Sequence, residues 1–150
     1  MRKLIWFSLF CALSSNAVAQ QQIKKFTSGS YKQVVNQYGQ RPFVMVLWSL
    51  DCPPCYQELE MLDRERKKHA FNLVLISVDG ADASNEVAAV LKKYNLQSVD
   101  NWLFEEFSSQ QLRYEIDPVW YGELPRSYLF NREHQRKAVS GVLRAGQLSK

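Results

Sequence analysis

The sequence predicts an α/β protein with a mixed β-sheet and helices on both faces of that sheet. Two long apolar runs, residues 42–50 and 71–79, are predicted to be buried strands, and a helical pattern follows each of them. Two strand-like runs near the end of the chain flank the turn-forming residues 131–135 and predict a β-hairpin. The order strand–helix–strand–helix followed by a hairpin gives a mixed sheet.

The other elements are predicted from apolar spacing and from residues that begin or end a helix. Residues 20–29 are predicted to form an irregular lead-in, and residues 30–39 are predicted to form a helix that ends at a glycine. Ser84 or Asn85 is expected to begin one helix, and Ser108 is expected to cap another. The remaining predicted elements are helices at 53–70, 84–95, 108–116 and 142–150, a short strand at 101–107, and hairpin strands at 126–131 and 136–141.

Residues 1–19 are predicted to be a secretory signal peptide, and residues 20–150 to be one domain. A short basic segment precedes an apolar run of about ten residues, and residues 17–19 form a small-x-small cleavage site. The apolar run is shorter than the roughly 20 residues that span a bilayer, so a cleaved signal is favoured over a membrane anchor. A periplasmic location follows, in which the mature chain keeps only Cys52 and Cys55 in an oxidising compartment.

The charge pattern argues against a nucleic-acid-binding role. The chain has 19 Lys and Arg against 15 Asp and Glu, and two of those basic residues belong to the predicted signal peptide. The small remaining excess is too weak for a nucleic-acid partner. The one basic run, residues 64–69, is expected at the C-terminal end of a helix, where cations suit the helix dipole.

The sequence "DCPPC", residues 51–55, is the predicted reactive site. Cys52 is expected where a buried strand is followed by a helix, so its sulfur lies beside unpaired backbone N–H groups that favour a thiolate. Cys55 is one turn further along the same helix and can close a disulfide with Cys52. This arrangement predicts an exposed attacking thiol and a shielded resolving thiol.

Other interpretations of the two cysteines stay open at this stage. A purely structural disulfide would close a very small loop and would stabilise the fold little. A zinc site needs about four ligands; the spacing from Cys55 to His69 is near that of a zinc finger, but the other histidine, His134, lies far along the chain. A copper or haem carrier that uses the same cysteines is a further alternative.

The segment "FVMVLWSLDCPPCYQELEML", residues 43–62, resembles the thioredoxin superfamily, and more narrowly its TlpA/ResA-like periplasmic branch. The likeness lies in Trp48, in the Cys-Pro-Pro-Cys motif and in Glu58 three residues after the second cysteine. Residues 123–141 are similar to the cis-proline strand and hairpin of that family, with Pro125 as the matching proline. The resemblance covers about residues 30 to 145.

The resemblance implies a thioredoxin-like fold and assigns roles to individual residues. A cis peptide bond before Pro125 would present the backbone of Leu124 to an incoming peptide beside the active sulfur. Glu58 would accept and return the proton of the Cys55 thiol; the alternative is an ordinary surface glutamate like Glu60. The predicted substrate-binding residues are Trp48, Asp51, Pro53, Pro54, Leu124 and Pro125.

Several residues depart from the family pattern. Asp51 stands where a tryptophan is common, and its charge is expected to raise the pKa of Cys52. Val46 stands about where thioredoxins bury an acidic residue. Trp120 and Tyr121 belong to an aromatic loop before Pro125; they are interpreted as a partner-docking patch, with a role in the core as the alternative.

The predicted function is reduction of disulfides in periplasmic partner proteins. The cysteine pair is itself the redox group, so no bound cofactor is expected, and the resemblance implies a membrane thiol donor that re-reduces the pair. An enzyme that introduces or isomerises disulfides is the alternative on the same fold, because potentials in that fold span about −270 to −120 mV. A non-enzymatic copper or haem carrier is the alternative from another class.

Overall fold

The computed structural model describes residues 22–105 and 109–148. The strands are β1 (Lys24–Phe26), β2 (Phe43–Trp48), β3 (Asn72–Ser77), β4 (Asp100–Phe104), β5 (Arg126–Phe130) and β6 (Arg136–Ser140). The helices are α1 (Ser30–Tyr38), α2 (Pro53–Lys68), α3 (Ser84–Lys93) and α4 (Ser109–Ile116), with short 3₁₀ turns at Ala81–Ala83 and Ala145–Gln147. The predicted signal peptide and Ser108 lie outside the described residues.

The six strands form one mixed sheet in the order β1-β4-β3-β2-β5-β6. Strands β1, β4, β3 and β2 run parallel to one another, whereas β5 is antiparallel to both β2 and β6. The predicted mixed sheet with a C-terminal hairpin is therefore confirmed. The central strand β2 pairs along its whole length with β3, from Phe43 opposite Asn72 to Trp48 opposite Ser77.

Helices cover both faces of the sheet because the strands in its centre are apolar on both sides. All six residues of β2 are buried, and alternate side chains point to opposite faces. We call the two resulting clusters the α2 core and the α1 core. The α2 core contains Val44, Val46 and Trp48 of β2 packed against α2 and α3. The α1 core contains Phe43, Met45 and Leu47 of β2 packed against α1 and α4.

Two details of the predicted elements were wrong. Residues 24–26, within the predicted lead-in, form β1; this strand has only three residues and is defined by pairing with β4, far along the chain. The predicted closing helix at 142–150 is only a 3₁₀ turn at Ala145–Gln147 within the described residues, because Gly146 and the few apolar residues around it give little support to a helix. Helix α3 begins at Ser84, as predicted, and no side chain caps it.

No helix within residues 22–105 and 109–148 is both long enough and apolar enough to cross a membrane.

A buried ion-pair network holds the loop between α4 and β5. The carboxylate of Asp117, just after α4, accepts hydrogen bonds from the Tyr128 hydroxyl and from Nη2 of Arg126, both at 2.9 Å. Burial alone would raise the pKa of Asp117, but these hydrogen bonds, the backbone amide of Val119 and the charge of Arg136 outweigh it and hold the pKa below its usual value. The network fixes both ends of the loop to the sheet.

The Asp117–Arg126 pair is expected to stabilise the fold far more than an exposed pair. Asp117→Ala removes the buried anionic partner of Arg126 and leaves it the more exposed Glu123, so the free energy of unfolding at pH 7 should fall by about 3 kcal/mol in urea titrations. Glu60→Ala, which removes an exposed pair with Arg64, should cost less than about 1 kcal/mol. Equal losses from the two variants would contradict this assignment.

Candidate functional site

The two cysteines form a disulfide at the start of α2. Cys52 is the residue immediately before the helix, Cys55 lies in its first turn, and their Cα atoms are 5.3 Å apart. Cys52 keeps 7% of its surface exposed and Cys55 none. The order of accessibility agrees with the predicted attacking and resolving roles, although Cys52 is less exposed than predicted.

The segment before Cys52 is held by Asp79, a residue that the sequence analysis did not select. The carboxylate of Asp79, just after β3, accepts hydrogen bonds from the Ser49 hydroxyl at 2.9 Å, the Leu50 backbone amide at 3.0 Å and the Ser77 hydroxyl at 2.6 Å. The Tyr56 hydroxyl donates to the Leu50 carbonyl at 2.7 Å from α2. The sequence could have indicated Asp79. It lies at the end of a predicted strand, and adjacent parallel strands end at the same edge of a sheet.

The other predicted residues around the motif differ in exposure. Asp51, Pro53 and Pro54 are exposed, and both prolines occupy the first turn of α2. Trp48 is only 1% exposed and packs in the α2 core together with Cys52 and Cys55. Trp48 therefore belongs to the core beneath the disulfide.

Glu58 lies one turn after Cys55 and is completely buried, which excludes the alternative of an ordinary surface glutamate. Oε1 of Glu58 accepts a hydrogen bond of 2.7 Å from the Ser127 hydroxyl on β5. Burial raises the pKa of Glu58 to about 7, against smaller opposing effects of the Ser127 hydrogen bond and the Leu143 backbone. Its carboxyl group therefore changes charge near neutral pH, beneath the disulfide-bearing turn.

The Leu124–Pro125 peptide bond is cis, as predicted. Leu124 is half-buried and contacts both the α2 core, which contains the two cysteines, and the α1 core. Pro125 is buried directly before β5, and its carbonyl accepts a hydrogen bond from the Gly141 amide at 2.9 Å. The structure thus brings the predicted Leu124 position to the cluster that surrounds the disulfide.

The predicted docking pair Trp120 and Tyr121 does not act as one patch. Trp120 is only 6% exposed in the α1 core, and its indole N–H donates to the Glu123 carbonyl at 2.9 Å. Tyr121 is 96% exposed. The interpretation of Trp120 as a surface residue was wrong, because the loop turns its large apolar ring inward, where burial is favourable.

The described residues contain no group of three or more His, Cys, Asp or Glu side chains that could hold a metal ion. The ring of His134 packs edge-on against Phe43 and Phe130.

Solved structures match this chain in general architecture, at low sequence identity. A secreted Mycobacterium tuberculosis disulfide oxidoreductase, homologous to E. coli DsbE, is 18% identical over 76% of this chain and 81% of its own, with a TM-score of 0.58. The chain has a thioredoxin-like fold.

Two other matches have the same thioredoxin-like fold. StoA from Bacillus subtilis is 21% identical over 73% of this chain and 80% of its own, with a TM-score of 0.53. A thioredoxin-related protein from Neisseria meningitidis is 19% identical over 73% of this chain and 80% of its own, with a TM-score of 0.56. No family model matches the sequence, and no curated protein matches it significantly.

Glu58 is expected to make stability fall as pH rises. Its pKa is about 7 in the folded protein and near 4.5 when solvated, so the folded state holds the extra proton between these values. The contribution of Glu58 to the free energy of unfolding is fully present below pH 4.5. It is lost as pH rises through 7, and the total loss is about 3 kcal/mol. Relative to the wild type, Glu58→Gln should therefore gain stability from pH 5 to pH 8 in urea titrations. A difference that does not change with pH would refute this.

Asp79 is expected to fix the backbone that precedes Cys52. Asp79→Ala leaves two hydroxyls and the Leu50 amide without their acceptor, so unfolding should become easier by about 2 kcal/mol. The Leu50 amide should also exchange its hydrogen at least tenfold faster in NMR measurements. Asp82→Ala removes an exposed carboxylate on the next turn and is the matched control; the same exchange rate in both variants would count against this role.

Proposed function

We propose that this chain is a thiol–disulfide oxidoreductase that reduces disulfides in partner proteins. The observation that carries the proposal is the Cys52–Cys55 disulfide at the start of α2, directly before a buried Glu58 that titrates near neutral pH. Further support comes from the matched structures, which include a secreted disulfide oxidoreductase and a DsbF in mixed oxidised and reduced forms.

The first step is attack by the Cys52 thiolate on a disulfide of the partner. A bond forms between the Cys52 sulfur and one partner sulfur, and the other partner sulfur leaves as a thiolate. The positive end of the α2 dipole favours the Cys52 thiolate, but Pro53 and Pro54 have no backbone N–H and the Cys55 N–H donates to the Cys52 carbonyl at 2.9 Å. The exposed Asp51 opposes the thiolate, and the partner peptide is expected to lie along the backbone of Leu124.

The second step releases the partner. Cys55 loses its proton to Glu58, and its sulfur attacks the Cys52 sulfur of the mixed disulfide. The Cys52–Cys55 bond forms, and the second partner sulfur leaves as a thiolate. The partner gains two electrons, the cysteine pair loses two, and the product is the oxidised state seen in the structure.

Reduction is favoured over oxidation because, apart from the α2 dipole, the residues next to Cys52 in the motif do not stabilise its thiolate. A strongly oxidising pair depends on a stabilised reduced form. Here the residue before Cys52 is an acid, and the two residues between the cysteines are prolines without side-chain donors. The cysteine pair serves as the redox group without another cofactor, and a membrane thiol donor restores it in the periplasm, to which the N-terminal segment directs the chain.

Trapping and redox titration test this function. Cys55→Ala should accumulate mixed disulfides with periplasmic proteins through Cys52, and Cys52→Ser should form none. The potential of the wild-type pair, measured against dithiol buffers, should lie nearer −270 than −120 mV.

The alternatives predict different results. A potential near −120 mV would assign the chain to disulfide introduction. Absence of exchange with any disulfide, together with metal binding that Cys52→Ser abolishes, would assign it to metal carriage.

A further inference from the structure

Ser127 and Glu58 form an isolated polar pair inside the protein. Both side chains are completely buried, and the Ser127 hydroxyl donates to Oε1 of Glu58 at 2.7 Å across 69 positions of sequence. On the sheet, Ser127 lies between Val46 of β2 and Val139 of β6. The hydroxyl therefore reaches the helix from an otherwise apolar row of the sheet.

The two oxygens of the Glu58 carboxyl are not equivalent. Oε1 already accepts the Ser127 hydrogen bond, whereas Oε2 has no hydrogen-bond partner among the described residues. A carboxyl oxygen that accepts a hydrogen bond is the better site for negative charge, so a proton on the neutral acid belongs on Oε2. The hydrogen bond thus fixes which oxygen exchanges the proton.

We propose that Ser127 is a positioning residue for disulfide exchange, whose hydroxyl holds the Glu58 carboxyl so that Oε2 receives and returns the Cys55 proton. This inference rests on the proposed function and adds to it a group outside the motif. As the Cys55 sulfur attacks the Cys52 sulfur, the Cys55 proton moves to Oε2 and the partner sulfur leaves as a thiolate. No other oxidant or reductant takes part.

The hydroxyl matters because little else near Glu58 stabilises a negative charge. From β5 the Ser127 hydroxyl faces the carboxyl, and from the segment after β6 only the Leu143 backbone does so. Within the described residues, no charged side chain contributes to the raised pKa of Glu58. Cys55, one turn earlier on α2, is held in the disulfide and becomes a titratable thiol only on reduction. Removing the hydroxyl should therefore raise the pKa of Glu58 above 7 and keep it protonated at neutral pH.

The test compares Ser127→Ala and Ser127→Val with Ser127→Thr in the full chain. Threonine keeps the hydroxyl, and valine has the shape of threonine without it, so the Thr/Val pair decides the matter if the alanine variant folds poorly. The Glu58 carboxyl is titrated by ¹³C NMR of labelled glutamate, with its signal assigned by its loss in Glu58→Gln. The midpoint should stay near 7 in the wild type and in Ser127→Thr, and rise by about one pH unit in the other two variants.

Kinetics provide the second measurement. Reduced protein is mixed with an aromatic disulfide that releases a coloured thiol twice, first on attack by Cys52 and then on attack by Cys55. At pH 7 the second phase should slow about fivefold in Ser127→Ala and Ser127→Val. The ionised fraction of Glu58 falls by about that factor when its midpoint rises by one unit from 7. The first phase and Ser127→Thr should match the wild type. In a Glu58→Gln background, Ser127→Ala should have no further effect on the second phase.

Failure of the inference and failure of the proposed function give different results. A wild type that releases no second thiol would refute the oxidoreductase function itself. Normal exchange in the wild type, with an unchanged Glu58 midpoint and an unchanged second phase in Ser127→Val, would refute the role of Ser127 and leave the function intact.

Discussion

The position of β2 in the sheet determines where every part of the candidate site lies. This strand is buried on both faces and pairs with a parallel strand on one side and an antiparallel strand on the other. The parallel neighbour β3 ends beside it, which brings Asp79 to the segment before Cys52. The antiparallel neighbour β5 begins at that same end, which brings Pro125 and Ser127 there. One strand with two opposite neighbours thus gathers groups from three distant parts of the chain.

Two of the buried carboxyl groups, Asp117 and Glu58, have surroundings that differ in a way that separates stability from chemistry. Asp117 accepts hydrogen bonds from Tyr128 and Arg126, and its pKa is held low. Among the described residues, Glu58 has one side-chain donor, Ser127, no charged partner and a pKa of about 7. A fully satisfied carboxylate fixes a loop, whereas a poorly satisfied one can change charge under physiological conditions. The contrast favours a chemical role for Glu58 and a structural role for Asp117.

Patterns that are local in sequence predicted most of the fold. The long apolar runs of β2 and β3, the helical spacing of α1 and the proline-led start of α2 all require no knowledge of distant residues. Strand β1 could not be predicted in the same way, because three residues carry little periodic signal and the strand depends on pairing with β4. The inward orientation of Trp120 likewise depends on the path of a loop, which no spacing rule specifies.

The candidate site was only partly predictable, for a similar reason. The cysteines and the proline are recognisable as motif residues, but the burial of Glu58 depends on how α2 is rotated against the sheet. The spacing of Cys55, Glu58, Leu59 and Leu62 places them on one helical stripe, and that stripe could have identified Glu58 as inward-facing. Ser127 carries no comparable signal, because a serine in a strand is common and its partner lies 69 residues away.

The outermost strands of the sheet also have a consequence for solubility. On one side β1 is only three residues long and includes Lys24 and Lys25; on the other, β6 includes Arg136 and Lys137. Short, positively charged borders discourage a second molecule from extending the sheet by strand addition. A sheet with such borders resists edge-to-edge aggregation.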